Sequence, residues 1–220
     1  MSTSARVLDP STSSTPSLDP VHGPGPLVDP HGALRAARAV GGAAGLLSAV
    51  LLVSNALKLG GVVPAVALNQ LLAPFAQSLA IVLIAMLVAA TARRTGAWGV
   101  LAGAVNLVGL ALVVAIEALT NHVFPYVTPA QVAELREGPA GTLLVVGSMW
   151  FLVGTLVHVG VLLAGRAAPV VPLVVYGVTG ALIGLRSFLP TPVVAVAVGV
   201  LALAVAWIAL DLLRGARRPR

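Results

Sequence analysis

Six runs of about 20 mostly apolar residues, joined by short polar links, fill most of the sequence from residue 39 to residue 213. About 20 apolar helical residues cross the ~30 Å hydrocarbon core of a bilayer, because each residue adds about 1.5 Å. The runs therefore predict an all-α polytopic transmembrane bundle of six helices. The predicted spans are 39–59, 71–92, 97–119, 142–164, 170–188 and 193–213.

The separation of the last two runs leaves an alternative open. Only a short link carrying Pro190 and Pro192 divides them, so a single merged span would give five helices. Proline interrupts helices because it lacks a backbone N–H, and Arg186 adds a charge nearby. These residues favour a turn and hence six helices.

Composition excludes several classes of protein. The chain is 58% hydrophobic and 9% charged, whereas soluble domains are about a quarter charged, so a soluble globular enzyme is excluded. The chain has no cysteine, which excludes disulfides, iron–sulfur clusters and cysteine zinc sites. It also lacks a Walker loop, a dinucleotide fingerprint and the common hydrolase motifs. We therefore predict no metal and no cofactor.

The ends of the chain differ from its centre. Residues 1–36 are rich in Ser, Thr and Pro and contain no apolar run, which predicts a disordered tail. The tail lacks the features of a signal peptide, so the first apolar helix is the expected insertion signal. The six-helix domain is predicted over residues 37–214, and residues 215–220 form a short basic tail.

Arginine placement predicts the orientation in the membrane. With the N-terminus inside, ten basic residues fall on the inner side and three on the outer side. The positive-inside rule then places both termini in the cytoplasm. The same rule explains the net positive charge of the chain, so we predict no nucleic-acid partner. The Arg-, Ala-, Gly- and Val-rich composition suggests a GC-rich bacterium, so we predict the bacterial inner membrane. The inner residues are Arg6, Arg35, Arg38, Arg93, Arg94, Arg166, Arg214, Arg217, Arg218 and Arg220, and the outer ones are Lys58, Arg136 and Arg186.

The link between residues 120 and 141 is the only sizeable outer loop that this orientation gives. Thr128 followed by Pro129 is typical of a helix start, with Thr128 as N-cap. We therefore predict a short helix lying along the outer surface.

The second half of the chain carries a weak resemblance. The link Gly165-Arg166-Ala167-Ala168-Pro169 is followed by Gly180-Ala181-Leu182-Ile183-Gly184-Leu185. This helix pair resembles the uncharacterised small multi-pass membrane proteins of GC-rich bacteria. The resemblance implies a polytopic membrane protein and no particular activity.

Five polar residues are predicted to share one layer in the inner half of the bundle. Counted from the inner helix ends, His158 lies at ~12 Å, Asn106 at ~13 Å, Tyr176 at ~10 Å and Thr179 at ~15 Å, with Thr155 one turn above His158. Ionisable groups inside hydrocarbon are costly and are candidates for function. The layer could line a ligand pocket or a proton path, or it could supply interhelical hydrogen bonds worth ~0.6 kcal/mol each.

A second polar cluster is predicted at the outer helix ends. Glu117, Asn121 and His122 end the third run, Lys58 and Asn55 end the first, and Arg186 ends the fifth. An ion pair of Glu117 with Lys58 or with Arg186 is plausible. Ordinary snorkelling of long side chains explains the two basic residues without any function.

Small-residue spacing predicts close helix packing. Three Gly-x-x-x-Gly pairs occur, and such pairs let backbones approach closely. They predict tight packing without specifying a dimer. The pairs begin at Gly41, Gly99 and Gly180.

Three functions are compatible with these observations. The first is a non-enzymatic structural or regulatory bundle, whose partners are the lipid bilayer and either a second copy or another membrane protein. The second is a small transporter or ligand-binding protein that uses the inner polar layer. The third is an intramembrane enzyme, which the missing catalytic set disfavours.

Overall fold

The computed structural model describes residues 30–217 of the protein. This part of the chain contains six α-helices and no β-strand. Two one-turn 3₁₀ segments, Phe124–Tyr126 and Arg186–Phe188, lie between helices. The helices are α1 (Pro30–Leu59), α2 (Ala67–His122), α3 (Pro129–Glu137), α4 (Pro139–Ala164), α5 (Val170–Gly184) and α6 (Thr191–Arg217).

Helix α2 folds back on itself at Gly96. This glycine has φ 60° and ψ −153°, outside the helical region. The ring nitrogen Nε2 of His122 lies 3.2 Å from the carbonyl oxygen of Gln70, whereas a straight helix would separate these residues by about 78 Å. Residues 67–95 and 97–122 are therefore two antiparallel arms, and the turn falls between the second and third predicted runs.

Four helices in the described range are long and apolar enough to cross a membrane, with α2 counted as one. They are α1, α2, α4 and α6. Helix α5 has 15 residues and is therefore about 22 Å long. It ends at Gly184, short of the predicted boundary at Phe188, because Leu185 leaves the helical conformation (φ −90°, ψ 10°) and a 3₁₀ turn follows.

Helices α1 and α6 extend further than predicted. Helix α1 begins at Pro30, within the segment 1–36 that was expected to be disordered. Proline is well tolerated at a first helical position, and the alanines and leucine that follow are strong helix formers. Residues 1–29 lie outside the described range. Helix α6 continues to Arg217, so residues 215–217 of the basic tail are helical.

The helices pack in a closed ring in the order α1, α2, α4, α5, α6 and back to α1. Both ends of the described chain lie at one end of this ring, since the Arg38 guanidinium donates to the carbonyl oxygen of Gly215 over 3.1 Å. We call this the terminal end and the opposite one the far end. Leu52, Leu83 and Ile208, each at most 2% exposed, are among the apolar side chains that fill the ring.

The predicted tight packing at glycine pairs is confirmed. A Cβ added to Gly45 would lie 2.7 Å from the Ala209 Cβ, and one added to Gly184 would lie 2.7 Å from the Leu152 Cβ. A Cβ added to Gly103 would lie closer still to the Val88 side chain, across the two arms of α2. These glycines bring helices of the same chain together.

The predicted short helix in the 120–141 loop is confirmed as α3. The Thr128 hydroxyl accepts a hydrogen bond from the Gln131 backbone N–H over 3.3 Å. The Gln131 side chain in turn accepts from the Thr128 N–H over 2.9 Å. This reciprocal capping box satisfies two N–H groups and fixes the start of the helix beside α4.

Candidate functional site

Four of the five residues of the predicted inner layer meet inside the ring. Asn106 comes from the second arm of α2, Thr155 and His158 from α4, and Tyr176 from α5. Thr155 and His158 are three residues apart, which places them on one face of α4. We call these four side chains the core polar layer.

Asn106 is the hub of the core polar layer. Its Oδ1 accepts a hydrogen bond from the Thr155 hydroxyl over 3.1 Å. Its Nδ2 lies 3.2 Å from Nδ1 of His158 and 3.5 Å from the Tyr176 hydroxyl oxygen. One side chain thereby joins the second arm of α2 to both α4 and α5.

Glycines allow the three helices to approach closely enough for these bonds. A Cβ added to Gly154 would lie 2.9 Å from the Asn106 Cα, and one added to Gly180 would lie 2.8 Å from the Thr155 Cγ2. Larger residues would push the backbones apart and stretch the hydrogen bonds. The polar residues and the small residues therefore act as one packing unit.

The core polar layer is sealed from the surface. Asn106 and Thr155 are 0% exposed, and His158 is 1% exposed. Because an amide Nδ2 only donates hydrogen bonds, Nδ1 of His158 accepts, and the neutral ring carries its proton on Nε2. That Nε2 has no hydrogen-bond partner among the described residues.

Thr179 lies at the predicted level but outside the hydrogen-bond network. Its hydroxyl donates to the Val175 carbonyl oxygen of its own helix over 2.7 Å. Buried threonines commonly bond to the preceding turn in this way. Thr179 is therefore buried in α5 without linking α5 to another helix.

The outer cluster comes together at the far end of the ring. Arg186 and Glu117 form an ion pair with 2.8 Å between Nη1 and Oε1, and their side chains are 21% and 10% exposed. Asn121 donates to the other Glu117 oxygen, Oε2, over 3.0 Å. The Lys58 ammonium donates to Oδ1 of the same asparagine. These four residues form the far-end cluster, which ties α1, α2 and the segment after α5 together.

Of the two ion pairs that the sequence left open, the structure has Glu117 with Arg186. Lys58 instead donates to Asn121, which in turn donates to Glu117. His122 is outside the cluster, because its ring faces the Gln70 carbonyl oxygen on the first arm of α2. Asn121, which the sequence places at the same helix end, lies four residues after Glu117, and this spacing puts both on one helix face.

A buried hydroxyl in α1 also holds helices together. The Ser48 hydroxyl is 0% exposed and donates to the Ala76 carbonyl oxygen of α2 over 2.7 Å. One serine in an apolar run gives no sequence signal that separates such a contact from a binding site.

The arrangement offers little for acid–base chemistry. Glu117 lies 11 residues beyond Asn106 on the same arm, which places it about 16 Å from the core polar layer along the helix axis. Glu117 and His158 therefore cannot act on one small substrate. Residues 30–217 contain no group of three His, Cys, Asp or Glu side chains that could hold a metal ion.

The fold and the site describe an all-helical protein whose apolar helices are compatible with an integral membrane protein. No protein-family model, curated protein or solved structure matches the chain.

Proposed function

We propose that the chain is a multi-pass integral membrane protein with six crossings and with both termini in the cytoplasm. The two arms of α2 supply two crossings, and α5 with the 3₁₀ turn after it supplies the fifth. Arg94 and Arg166 lie at the terminal end, and a surplus of arginine marks the cytoplasmic side. The arginine-rich composition favours a bacterial inner membrane, and the 165–169 link favours the small multi-pass proteins that it resembles.

Site-directed labelling tests this orientation directly, since the native chain has no cysteine. Arg93 and Glu134 are both exposed, at the turn of α2 and on α3. We expect a water-soluble maleimide to label Arg93→Cys only from the cytoplasmic side and Glu134→Cys only from the outside. The reverse pattern would contradict the proposed orientation, and labelling of both from one side would contradict a crossing between them and hence the six-crossing topology.

The function that the geometry supports best is a non-enzymatic structural or regulatory bundle. The observation that carries this proposal is that the core polar layer is sealed from the surface. Its side chains are buried and hydrogen-bond to one another inside the ring of helices. Its partners are the surrounding lipid and either a second copy or another membrane protein. Since the three glycine pairs are used within the chain, such a partner binds through other surfaces.

Water access to the core polar layer tests the proposed function. Thr155→Cys is nearly isosteric and replaces a fully buried side chain. We expect it to resist a water-soluble maleimide in the native bundle and to react after denaturation, whereas Arg93→Cys reacts in both states. Rapid labelling of Thr155→Cys in the native state would favour a water-filled cavity and refute the sealed bundle.

A small transporter or ligand-binding protein is the second candidate, and one observation favours it. A buried N–H without a partner costs about 1–3 kcal/mol, and a bound acceptor at His158 Nε2 would recover that cost. Proton flux into proteoliposomes under a pH gradient, read with a trapped dye, is the test. Flux that falls in His158→Phe but not in Thr179→Val would support this candidate, and equal flux in all three proteins would exclude a proton path.

A further inference from the structure

A polar cavity opens at the terminal end of the bundle. Its volume is about 440 Å³, and it lies between α1, the first arm of α2, the 166–169 link and α6. Leu87 and Leu212 form part of its wall. Its charged lining residues are Arg38, Arg94, Arg166, Arg214 and Asp211. We call this cavity the arginine vestibule.

Within residues 30–217, the charge of the arginine vestibule is not balanced by other groups of the protein. Four guanidinium groups and one carboxylate give its lining a formal charge of +3. Within the described part of the chain, none of these arginines has a carboxylate oxygen within 4.0 Å. The mutual repulsion of four cations around one cavity costs free energy, and an anion in the cavity would relieve it.

Two of the four arginines are held in place by backbone oxygens. The Arg38 guanidinium donates to the carbonyl oxygen of Gly215 over 3.1 Å. The Arg94 guanidinium donates to the carbonyl oxygen of Arg166 over 3.3 Å. Each bond uses one of five N–H donors of a guanidinium and leaves the others free for a ligand. The contacts cross between distant parts of the chain, so the cavity is assembled by the fold itself.

Arg166 occupies an unusual backbone conformation. Its φ is 46°, in the left-handed region that favours glycine, and it is the one non-glycine residue with positive φ in the described range. This φ belongs to a Schellman motif that ends α4, in which the Arg166 N–H donates to the Leu163 carbonyl oxygen and the Ala167 N–H donates to that of Leu162. The helix end thereby fixes the backbone from which the Arg166 side chain reaches the vestibule.

We propose that the arginine vestibule binds a phosphate group. The planar guanidinium matches two phosphate oxygens at once, and the cavity volume is in the range of sites for small organic ligands. Basic cavities between transmembrane helices are known to take up lipid headgroups, and a soluble phosphorylated compound offers the same chemistry. This site is separate from the core polar layer, so it stands whether or not that layer is sealed.

The experiment measures two probes on the full chain purified in a neutral detergent. Native mass spectrometry counts retained phosphatidylglycerol, which reports a lipid headgroup. The shift in unfolding temperature with inorganic phosphate, against chloride at equal ionic strength, reports a soluble phosphate. Retention of the lipid alone assigns the site to the membrane, and a phosphate-specific shift assigns it to a soluble ligand. Failure of both probes would overturn the proposal.

Two double variants with the same charge change separate a site from general attraction. Arg94→Gln with Arg214→Gln removes two vestibule arginines, while Arg93→Gln with Arg217→Gln removes two exposed arginines outside its lining. We expect the first pair to weaken binding by about tenfold or more and the second by about twofold or less. Equal losses in both pairs would show diffuse attraction and overturn the proposal.

A third variant works in the opposite direction and does not depend on the arginine variants folding. Asp211 makes no ion pair within 4.0 Å in residues 30–217, so Asp211→Asn breaks no ion pair there and raises the formal charge of the lining from +3 to +4. We expect Asp211→Asn to tighten binding by about fivefold, in line with one unit of charge at a membrane surface. The affinity is measured with whichever probe the wild-type protein binds, phosphatidylglycerol or inorganic phosphate. Unchanged or weaker binding would contradict a phosphate in the vestibule.

Discussion

Two buried threonines at the level of the core polar layer should differ in how much stability the protein loses with their hydroxyls. Thr155 donates across a helix interface to Asn106 over 3.1 Å. Thr179 donates to Val175 of its own helix over 2.7 Å. Valine is nearly isosteric with threonine, so Thr155→Val and Thr179→Val differ mainly in whether an interhelical bond is lost.

The structure gives the expected sizes of these effects. An interhelical hydrogen bond in a membrane protein is worth about 0.6 kcal/mol on average and at most about 1.7 kcal/mol. Thr155→Val should cost that amount, while Thr179→Val should lie within about 0.5 kcal/mol of zero. Asn106→Ala breaks three such contacts and should cost about 2 kcal/mol, which shifts the folding equilibrium by about 30-fold.

Equilibrium unfolding provides the assay. The purified chain in mixed micelles is titrated with sodium dodecyl sulfate, and helix content is followed by circular dichroism. The expected order of stability is wild type and Thr179→Val together, then Thr155→Val, then Asn106→Ala. Equal losses for the two threonine variants would refute the argument that Asn106 joins the helices through this network.

Further predictions concern packing and the far-end cluster. Gly154→Ala should cost about 1–3 kcal/mol, because the new Cβ would lie 2.9 Å from the Asn106 Cα. Gly160→Ala should be neutral or stabilising, because nothing lies within 4 Å of its new Cβ. Similar losses of stability for Gly154→Ala and Gly160→Ala in the dodecyl sulfate titration would contradict this account. Glu117→Gln and Arg186→Gln should show a coupling of about 1 kcal/mol or more in a double-mutant cycle, and additive effects would mean that the ion pair contributes nothing.

Much of the fold could be predicted because a helix that crosses a bilayer needs about 20 apolar residues, and such runs stand out in the sequence. Counting residues from helix ends gave the shared depth of Asn106, His158 and Tyr176, and the structure brings these residues together. The same counting placed Glu117 and Arg186 at one end, where they pair. Depth follows from the regular rise of a helix, so it can be read from sequence.

The neighbours of each side chain could not be predicted in this way. Depth does not say which face of a helix meets which partner, so Thr179 was grouped with residues that it does not contact. Depth likewise left Lys58 and Arg186 as alternative partners of Glu117, and the contact of Lys58 is Asn121. The arginine vestibule could not be predicted for the same reason, because Arg94 and Arg166 are 72 residues apart in sequence and only the ring of helices brings them together.

Helix α1 begins before the predicted end of the tail at residue 36, for a different reason. The polar, proline-rich composition of residues 1–36 was averaged over the whole segment, while its last residues are alanine-rich and helical. Local helix propensity prevailed over the composition of the tail from Pro30 onward.

The sealing of the core polar layer is tested most directly on the unaltered protein, by solid-state NMR of ¹⁵N-histidine in lipid bilayers. The chain has four histidines, and His158 is the one placed in the core polar layer. The structure predicts a neutral His158 ring with its proton on Nε2. In D₂O this proton should remain long after the ring N–H proton of the exposed His122 has been replaced by deuterium. Exchange of the His158 signal as fast as that of His122 would mean that water reaches the layer, and the sealed bundle would be wrong.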